Sequence, residues 1–563
     1  MIADLPPGLM LVLGALLAPL LRSSLRPAYL VLLPVLALAQ LLTLDNGIHG
    51  QFQMFGHALT LLRIDALSRI FALVFILAAL VCAIYGWRER DVVQQVSAQI
   101  YAGAAICAVL AGDFVSLFIF WELTAIASVF LIWAARNDRA YQAGMRYLVI
   151  QIGSGVILLA GIILHYRATG SIAFGALSAV TLPGGLILLA FGIKAAFPLL
   201  HAWLPDAYPK ATLFGSVVLS AFTTKLAVYA IARGYAGTEM LIWVGAAMAI
   251  YGSIFALIED NLRKLLAYSL IAQLGFLIVA VGVGSPLALG GAAGHAVSSI
   301  LYMLLLFMCA GAAIAASGKE TLSSLGGLAR RMPWTAAICV VASASIAALP
   351  GTSAFVTKSL ILSSLAKGGL QIPWLLLLAA AVLTVVHTAI RVPYHVFFAR
   401  AETTGKSEAP FSMRIAMTAT AAFILAGGFL PEAFYRLLPG NITYAPYSFG
   451  HVVTQLQLVI FAALGFAMLR RNKLDPRPRN ATIDADWLYR RLLPALINAF
   501  GGIISHIHFR TLSRAQVRLN RFIATVYRHH GPQGALARTW PVGSTVLWVA
   551  VLLCVTLVFY YVE

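Results

Sequence analysis

Residues 113–133 read Asp-Phe-Val-Ser-Leu-Phe-Ile-Phe-Trp-Glu-Leu-Thr-Ala-Ile-Ala-Ser-Val-Phe-Leu-Ile-Trp. The run is long enough to cross a bilayer as a helix, because a span needs about 20 mostly apolar residues. Near its middle lies one carboxylate, Glu122. A charge at that depth costs free energy, so it indicates a functional residue with a partner nearby. Lys194, Lys225 and Lys358 also lie deep in apolar runs and are the candidate partners.

The composition is that of a polytopic membrane protein. Of the 563 residues, 61% are hydrophobic and 10% are charged, whereas a soluble domain carries about 25% charged residues. The net charge of +19 fits Lys and Arg collected on cytoplasmic loops rather than a nucleic-acid surface. The five cysteines stand singly in apolar runs. Because the sequence also has no nucleotide loop, flavin fingerprint or Fe–S cysteine set, we expect no metal and no cofactor.

Apolar runs bounded by polar residues, Gly or Pro predict about sixteen transmembrane helices in an all-α protein. The predicted spans are 8–22, 27–44, 67–86, 97–112, 113–133, 144–166, 182–200, 212–233, 240–258, 264–284, 288–316, 334–364, 373–399, 412–431, 453–470 and 541–562. Loops after the odd-numbered spans carry thirty Lys or Arg, the opposite side carries six, and the three deep lysines complete the total of 39. Since positive charge collects on the cytoplasmic side, both termini are predicted to lie outside.

Two predicted spans contain helix-breaking residues close to a lysine. Pro198 follows Lys194 by four residues, and Pro350-Gly351 precedes Lys358. Proline removes a backbone donor and interrupts a helix, and non-helical backbone at membrane depth is tolerated where it lines a polar cavity or is buried in protein. A broken helix in each of two halves is typical of transporters built from inverted repeats. Two ordinary proline kinks are the alternative interpretation.

The predicted organisation has six parts. They are N-terminal membrane helices at 1–96, a first inverted repeat at 97–233, a second at 240–399, peripheral helices at 400–471, an amphipathic surface helix at 484–530 and a C-terminal transmembrane helix at 541–563. The segment 484–530 is too rich in Arg to span a membrane. Its apolar residues recur every three or four positions, which predicts a helix along the cytoplasmic surface. That helix either braces neighbouring helices or anchors the chain to anionic lipid.

Three stretches carry a family resemblance. They are Asp113-Phe-Val-Ser-Leu-Phe-Ile-Phe-Trp-Glu122, Lys194-Ala-Ala-Phe-Pro-Leu-Leu-His-Ala-Trp-Leu-Pro-Asp206-Ala and Arg263-Lys-Leu-Leu-Ala-Tyr-Ser-Leu-Ile-Ala-Gln-Leu-Gly275. Over roughly 60–400 the chain resembles the antiporter-like subunits shared by respiratory complex I and Mrp-type cation/proton antiporters, and it is most similar to the D-type subunit of Mrp antiporters. The resemblance implies a bundle with two inverted five-helix repeats and helices packed outside them.

The resemblance also implies a proton path. Glu122 matches the glutamate of the fifth helix, and Lys194 and Lys358 match the lysines of the two broken helices. Lys225 matches the lysine that links the two half-channels. Burial favours a neutral lysine whereas a nearby carboxylate favours the charged form, so Glu122 and Lys194 are expected to act as a switchable pair. A structural ion pair that fixes helix packing is the alternative.

The eleventh span departs from the family pattern. Family members carry a pattern like His-x-x-x-His-x-x-x-Lys there, whereas this chain has His295, Ser299 and Met303 at the three positions. Imidazole suits a relay because its unperturbed pKa is about 6.5, but a methionine cannot titrate. Either protons pass by His295, Ser299 and water, or transfer through this subunit is slow or absent.

Four further residues are candidate access points for protons. His201 follows the first break and either feeds protons from the cytoplasm or caps a turn. Asp113 is expected at the outer end of the fifth helix, where an acidic residue is favourable for dipole reasons alone. His387 and His395 either line an exit or are interfacial residues, and the second interpretation is favoured.

The sequence therefore predicts a secondary ion transporter subunit, not an enzyme, in a bacterial inner membrane. It is expected to relay protons within a multisubunit Na⁺ or K⁺/proton antiporter, with other membrane subunits, the bilayer and the transported ions as partners and with no nucleic acid. One alternative is the proton-conducting membrane subunit of a complex I-like redox or inorganic-carbon-uptake complex. The other is a transport-inactive scaffold, which the altered eleventh span favours.

Overall fold

The computed structural model describes residues 5–471 except 55 and 400–407, together with 487, 491, 492, 494, 495, 517–525, 528 and 542–562. The helices are α1 Pro7–Leu17, α2 Arg26–Thr43, α3 Ala66–Tyr85, α4 Val92–Leu110, α5 Phe114–Trp133, α6 Asp138–Thr169, α7 Leu182–Lys194, α8 Trp203–Ala207, α9 Leu213–Leu219, α10 Thr223–Gly234, α11 Met240–Ile258, α12 Leu262–Val283, α13 Pro286–Ser317, α14 Pro333–Ile346, α15 Ser353–Lys367, α16 Gln371–Thr384, α17 Arg391–Pro393, α18 Phe411–Phe429, α19 Pro431–Tyr435, α20 Phe449–Arg471 and α21 Val542–Val562. Short 3₁₀ turns and two π-helical segments, Val385–Ile390 and Tyr394–Phe398, join some of them.

The protein is a polytopic helical membrane protein. Among the described residues, twelve helices are long and apolar enough to cross a membrane, and four shorter apolar helices of 10–17 residues accompany them. The shorter helices lie within four other predicted spans: α1 with its following 3₁₀ turn, α7, α14 and the central part of α21. Two of these, α7 and α14, are short because each stops at a break in the middle of its span.

Local sequence signals set the ends of the site-bearing helices. Polar N-cap side chains accept from the first turn of α5, α6 and α7, namely Asp113, Asn137 and Thr181. Such caps satisfy backbone donors that a helix leaves unpaired. At the C-termini of α12 and α13, Gly284 and Gly318 adopt left-handed φ values of 68° and 70°, a conformation in which glycine avoids the Cβ clash.

Residues 47–54 and 57–64 pair as a β-hairpin, so the expectation of an all-α protein is wrong for these two strands. Strand β1, Gly47–Met54, pairs antiparallel with β2, His57–Ile64. Leu62 and Ile64 are buried while the intervening Arg63 is partly exposed, the alternation expected of a strand with one face covered. The hairpin was missed because its residues lie between two predicted spans and mix polar with apolar side chains, so they form no continuous apolar run.

Two breaks with the same backbone geometry interrupt the bundle. After α7, Ala196 and Leu199 have φ values of 61° and 68°; after α14, Ala348 and Gly351 have values of 55° and 91°. A proline stands between the two positive-φ residues in each break. At the same place in each, a backbone N–H reaches the carbonyl five residues back at 2.9 Å, from Phe197 and from Leu349. The helix is therefore interrupted, rather than kinked, at both positions.

Several helices of the first 471 residues pack near these breaks. Helix α5 packs against α4 and α6, and α6 packs against α7; α12 lies against α11 and α13, and α13 also contacts α14, α15 and α18. Helices α12 and α13 are buried along almost their whole length. The segments that carry the predicted lysines therefore lie among packed helices.

The chain divides into two compact units, Met1–Thr482 and Ile483–Glu563. In the second unit, residues 517–525 are helical and α21 follows. The predicted surface helix at 484–530 lies largely outside the described residues, and so does the stretch 400–407 that begins the predicted peripheral segment.

Candidate functional site

Glu122 occupies a niche between α5 and α6. The side chain is half-buried, and its carboxylate lies against Gly155 of α6, where an added Cβ would meet Oε1 at 1.8 Å. Oε1 is buried and has no hydrogen-bond partner among the described residues. A buried polar atom without a partner carries a desolvation cost, so the niche leaves this carboxylate oxygen without a compensating hydrogen bond. A carboxylate held in this way can influence a neighbouring group through its charge without being hydrogen-bonded to it.

Lys194 ends α7 at the first break and lies wholly inside the protein. Its Nζ donates to the carbonyl oxygen of Trp121 at 2.6 Å and to Thr124 Oγ1 at 3.2 Å. The ammonium also lies 4.3 Å from the centroid of the Trp121 ring, a cation–π contact. The structure describes both Lys194 and Glu122 and places no ion pair within 4.0 Å between them. Lys194 is thus bonded to the neighbours of Glu122 and not to the carboxylate.

The other two deep lysines also donate to carbonyl oxygens, and theirs lie at helix ends. Lys225 Nζ donates to Ser220 O at 2.8 Å, at the junction of α9 and α10. Lys358 Nζ donates to Ile346 O at 2.9 Å, the last residue of α14. Helix C-terminal carbonyls are unpaired and carry partial negative charge, so they stabilise a nearby ammonium. Each of the three lysines is at most 4% exposed.

The lysines of the two broken helices do not occupy corresponding positions. The breaks align as Ala-Ala-Phe-Pro-Leu at 195–199 and Ala-Ala-Leu-Pro-Gly at 347–351. Lys194 directly precedes the first break, whereas Ile346 precedes the second and Lys358 follows it within α15. The hydrogen bond from Lys358 to the Ile346 carbonyl nevertheless returns its ammonium to the α14 end of the break. Sequence spacing could not show this, because the side chain folds back across the break.

His295 lies at the centre of a buried polar cluster on α13. Its Nδ1 is 3.1 Å from Thr357 Oγ1, and its Nε2 is 3.4 Å from Tyr302 Oη. Ser299, the second predicted relay residue of this span, donates its hydroxyl to the Ala296 carbonyl of its own helix at 2.9 Å. The structure therefore joins His295 to Thr357 and Tyr302, two residues that sequence reasoning missed, and supplies no hydrogen bond between His295 and Ser299.

Other site residues escaped the sequence analysis as well. Thr124 and Gly155 touch the predicted pair directly, and Gln273 accepts from Tyr302 at 3.1 Å. Gln151, one helical turn before Gly155, is fully buried and neither of its side-chain polar atoms has a hydrogen-bond partner in the described structure. A polar residue in an apolar span was a usable signal for Gln151 and Gln273. No local signal distinguishes Gly155 from the other helical glycines.

The candidate access residues lie in different settings. Asp113 caps α5 and accepts from Ser116 N and Oγ and from Thr60 N, at 2.7–2.8 Å, so its carboxylate ties the hairpin to the helix. His201 is 1% exposed, and its ring packs edge-on against Tyr251 with centroids 4.5 Å apart.

His387 and His395 lie in the two π-helical segments. His387 is fully buried, and its Nδ1 is 2.6 Å from Thr388 Oγ1. His395 packs edge-on against Tyr394. π-Helical turns occur frequently at functional sites, but no described hydrogen bond joins either histidine to the Lys358 side chain.

The part of the chain that carries Glu122 and the three lysines matches a known family. Residues 111–386 match the family described as NADH:quinone oxidoreductase/Mrp antiporter, transmembrane. Hydrogenase-4 component B of Escherichia coli (strain K12) is 32% identical over 53% of this chain and 50% of its own length. The Na(+)/H(+) antiporter D subunit of Bacillus subtilis (strain 168) is 30% identical over 53% of this chain and 64% of its own length. The chain thus spans about half to two thirds of the length of these relatives.

The fold recurs in solved membrane complexes. A chain of the membrane-bound sulfane sulfur reductase, an archaeal respiratory membrane complex, superposes with a TM-score of 0.72 at 24% identity, covering 98% of this chain and 99% of that one. At this identity the likeness shows a shared fold. The family match covers the residues from Glu122 to Lys358, including Lys194, Lys225 and His295. Residues 111–386, the part of the chain that contains the site, thus match the NADH:quinone oxidoreductase/Mrp antiporter transmembrane family.

Proposed function

We propose that the protein is a proton-translocating subunit of a multisubunit monovalent cation/proton antiporter, exchanging Na⁺ or K⁺ for protons, and not a catalytic enzyme. The observation that carries the proposal is the set of three buried lysines, each bonded to a backbone carbonyl. A lysine paired permanently with a carboxylate would be held charged, whereas a carbonyl dipole stabilises the ammonium more weakly. The relative from Bacillus subtilis, the D subunit of a Na(+)/H(+) antiporter, supports this assignment.

The proposed path starts at Glu122 and Lys194. When the Glu122 charge is neutralised or moved, Lys194 loses the field that favours its ammonium and releases its proton toward Lys225. Lys225 hands the proton on to His295. Lys358 at the second break then receives it. Ser299, whose hydroxyl is taken by its own helix, stays a proposed contributor through a rotated side chain.

The proposed architecture follows the same logic. It has sixteen spans, with inverted five-helix repeats at 97–233 and 240–399 that each contain one of the matching breaks. The distribution of Lys and Arg supports termini outside a bacterial inner membrane, with other membrane subunits as partners. His201 after the first break and His387 beyond the second are the proposed routes of access to the path, with Asp113 and His395 at its margins.

The test is transport by the assembled complex in proteoliposomes. Glu122→Gln and Lys194→Ala are each expected to abolish cation-dependent proton movement while the complex still assembles. Arg136→Gln is the control, because its side chain is 76% exposed and pairs with Asp91 away from the lysines. Full transport by either site variant would remove Glu122 and Lys194 from the path. Loss of assembly would instead support a structural ion pair.

A redox-driven complex is the second candidate function. The end-to-end structural match with a chain of an archaeal respiratory complex favours it, and so does the similarity to a hydrogenase component. In that case another subunit supplies the driving chemistry. Proteoliposomes separate the two functions, since an imposed Na⁺ or K⁺ gradient moves protons without any electron donor only if the complex is an antiporter.

The scaffold interpretation rests on Met303. Its side chain is fully buried and cannot titrate, although it stands where the family usually has a lysine. A transport-inactive subunit would tolerate loss of the neighbouring His295, and that variant is the corresponding test.

A further inference from the structure

A chain of four buried side chains connects α16 to His295 through α12 and α13. Thr384 contacts Gln273, Gln273 contacts Tyr302, and Tyr302 contacts His295, with separations of 3.4, 3.1 and 3.4 Å. All four residues are at most 1% exposed. Because none has access to bulk water, the direction of each hydrogen bond is decided by the next partner in the chain.

The donor and acceptor of each hydrogen bond in this chain can be deduced by starting at the backbone carbonyl that Thr384 contacts and proceeding to His295. Thr384 Oγ1 gives its one hydrogen to the Ala380 carbonyl at 2.8 Å, so it can only accept from Gln273. Gln273 must then present its NH₂ group to Thr384 and its Oε1 to Tyr302. The Tyr302 hydroxyl therefore donates to Gln273, and its oxygen is left to accept. The atom that donates to it is His295 Nε2, which consequently carries the ring hydrogen.

We propose that Thr384, Gln273 and Tyr302 are positioning residues that hold neutral His295 in its Nε2–H form and leave Nδ1 as the atom that accepts and releases the transported proton. Nδ1 faces Thr357 Oγ1 at 3.1 Å, and Thr357 is followed directly by Lys358. This inference rests on the proposed proton path and names the atoms by which it passes His295.

The proton transfer balances through the Thr357 hydroxyl. In the step toward Lys358, the imidazolium Nδ1 gives its proton to the Thr357 oxygen while the Thr357 hydroxyl releases its own proton toward the Lys358 side, so the hydroxyl ends neutral and the ring returns to its Nε2–H form. The reverse step recharges the ring through the same hydroxyl. Throughout, the Nε2 hydrogen stays with Tyr302. Position 303 takes no part in this step, which explains how a methionine there is compatible with transfer.

A second feature of the cluster agrees with this route. The Phe276 ring lies beside both groups, with its centroid 4.9 Å from Lys358 Nζ and 6.1 Å from the centre of the His295 ring. Its apolar ring therefore packs beside both groups, and the Thr357 hydroxyl is the described hydrogen-bonding contact of Nδ1. Outer contacts of this kind fix the orientation and tautomer of a histidine wherever its ring nitrogens have distinct roles.

The experiment is nitrogen-15 solid-state NMR of the histidine-labelled complex in proteoliposomes. A His295→Gln sample supplies the difference spectrum that isolates this ring. The wild type is expected to show protonated Nε2 and unprotonated Nδ1. Tyr302→Phe removes the acceptor of Nε2–H, so the hydrogen should move to Nδ1 and donate to Thr357. Thr384→Val frees Gln273 to reverse its amide and should shift the ring the same way.

Tyr85→Phe is the matched control, because Tyr85 is also fully buried and donates at 3.2 Å to a carbonyl of the same helix, that of Met308. Tyr85→Phe should leave the His295 signals and the transport rate unchanged. Tyr302→Phe should lower transport about 10- to 100-fold. An Nδ1–H ring in the wild type, or an unchanged ring in both Tyr302→Phe and Thr384→Val, would overturn the inference. The expected tautomers together with no proton transport in the wild type would instead refute the proposed function.

Discussion

Replacing Gly155 with alanine tests whether the exact seat of the Glu122 carboxylate matters. The added Cβ would lie 1.8 Å from Oε1 and 2.3 Å from the carboxyl carbon. Real Cβ contacts are essentially never closer than 3.0 Å, so the carboxylate must retreat by about 1.2 Å. The atoms that must move are the end of a flexible side chain, and the helix backbone can stay in place.

The expected effects on stability and on transport have opposite signs. Alanine is favoured over glycine inside a helix by about 0.5–1 kcal/mol, which offsets the small cost of turning the Glu122 side chain. Thermal stability should therefore hold or rise. Transport should fall by about 10- to 100-fold, because a displacement near 1 Å at a reacting group has effects of that size. This combination separates a positioned carboxylate from a packing residue.

Gly153→Ala is the matched control. Gly153 lies two residues earlier on the same helix, and a Cβ there would meet nothing within 4 Å. It gains the same helix propensity without touching Glu122. The assay is the initial rate of cation-driven proton movement in proteoliposomes, with unfolding temperature measured on the same preparations. Equal rates in Gly155→Ala and Gly153→Ala would refute the reasoning, since the position of the carboxylate would then be irrelevant.

Three further outcomes are expected. In a pH-jump assay on proteoliposomes, His295→Ala should be at least as damaging as Lys358→Ala while Met303→Lys is tolerated; normal transport by both alanine variants would exclude the second half as a path. Ala196→Val should lower the unfolding temperature more than Ala196→Gly, because a β-branched residue is strained at a φ of 61°; equal temperatures would mean that the break does not hold this conformation. A cysteine placed near 514 should be labelled only from the cytoplasm and a tag after 563 only from outside; labelling with the opposite sidedness would contradict the orientation.

Much of the fold was predictable because its signals are local. Apolar runs locate the spans, and the Pro-containing breaks at 198 and 350 locate the interruptions, since each depends on a few adjacent residues. The hairpin at 47–64 was not predicted, because a short amphipathic strand pair gives a weaker signal than a span. The surface helix at 484–530 remains a prediction over most of its length.

The candidate site was likewise predictable only in part. Glu122 and the three lysines were identified from the sequence because a charge inside an apolar run is conspicuous whatever surrounds it. The hydrogen-bond partners of these four residues could not be identified from the sequence. Lys194 reaches a carbonyl 73 residues away in sequence, and Gln273 reaches Thr384 across 111 residues. No ion pair within 4.0 Å joins Lys194 to Glu122, and Lys194 donates instead to Trp121 and Thr124.

The sequence thus determined which residues are buried in the membrane part and which of them can carry charge, because hydropathy, proline and charge act residue by residue. Only the tertiary structure decided which atoms face one another. The niche at Gly155, the return of Lys358 to the end of α14 and the chain from Thr384 to His295 all arise between helices. Hydrogen-bond direction depends on partners far apart in the chain, so it is fixed only when the helices pack.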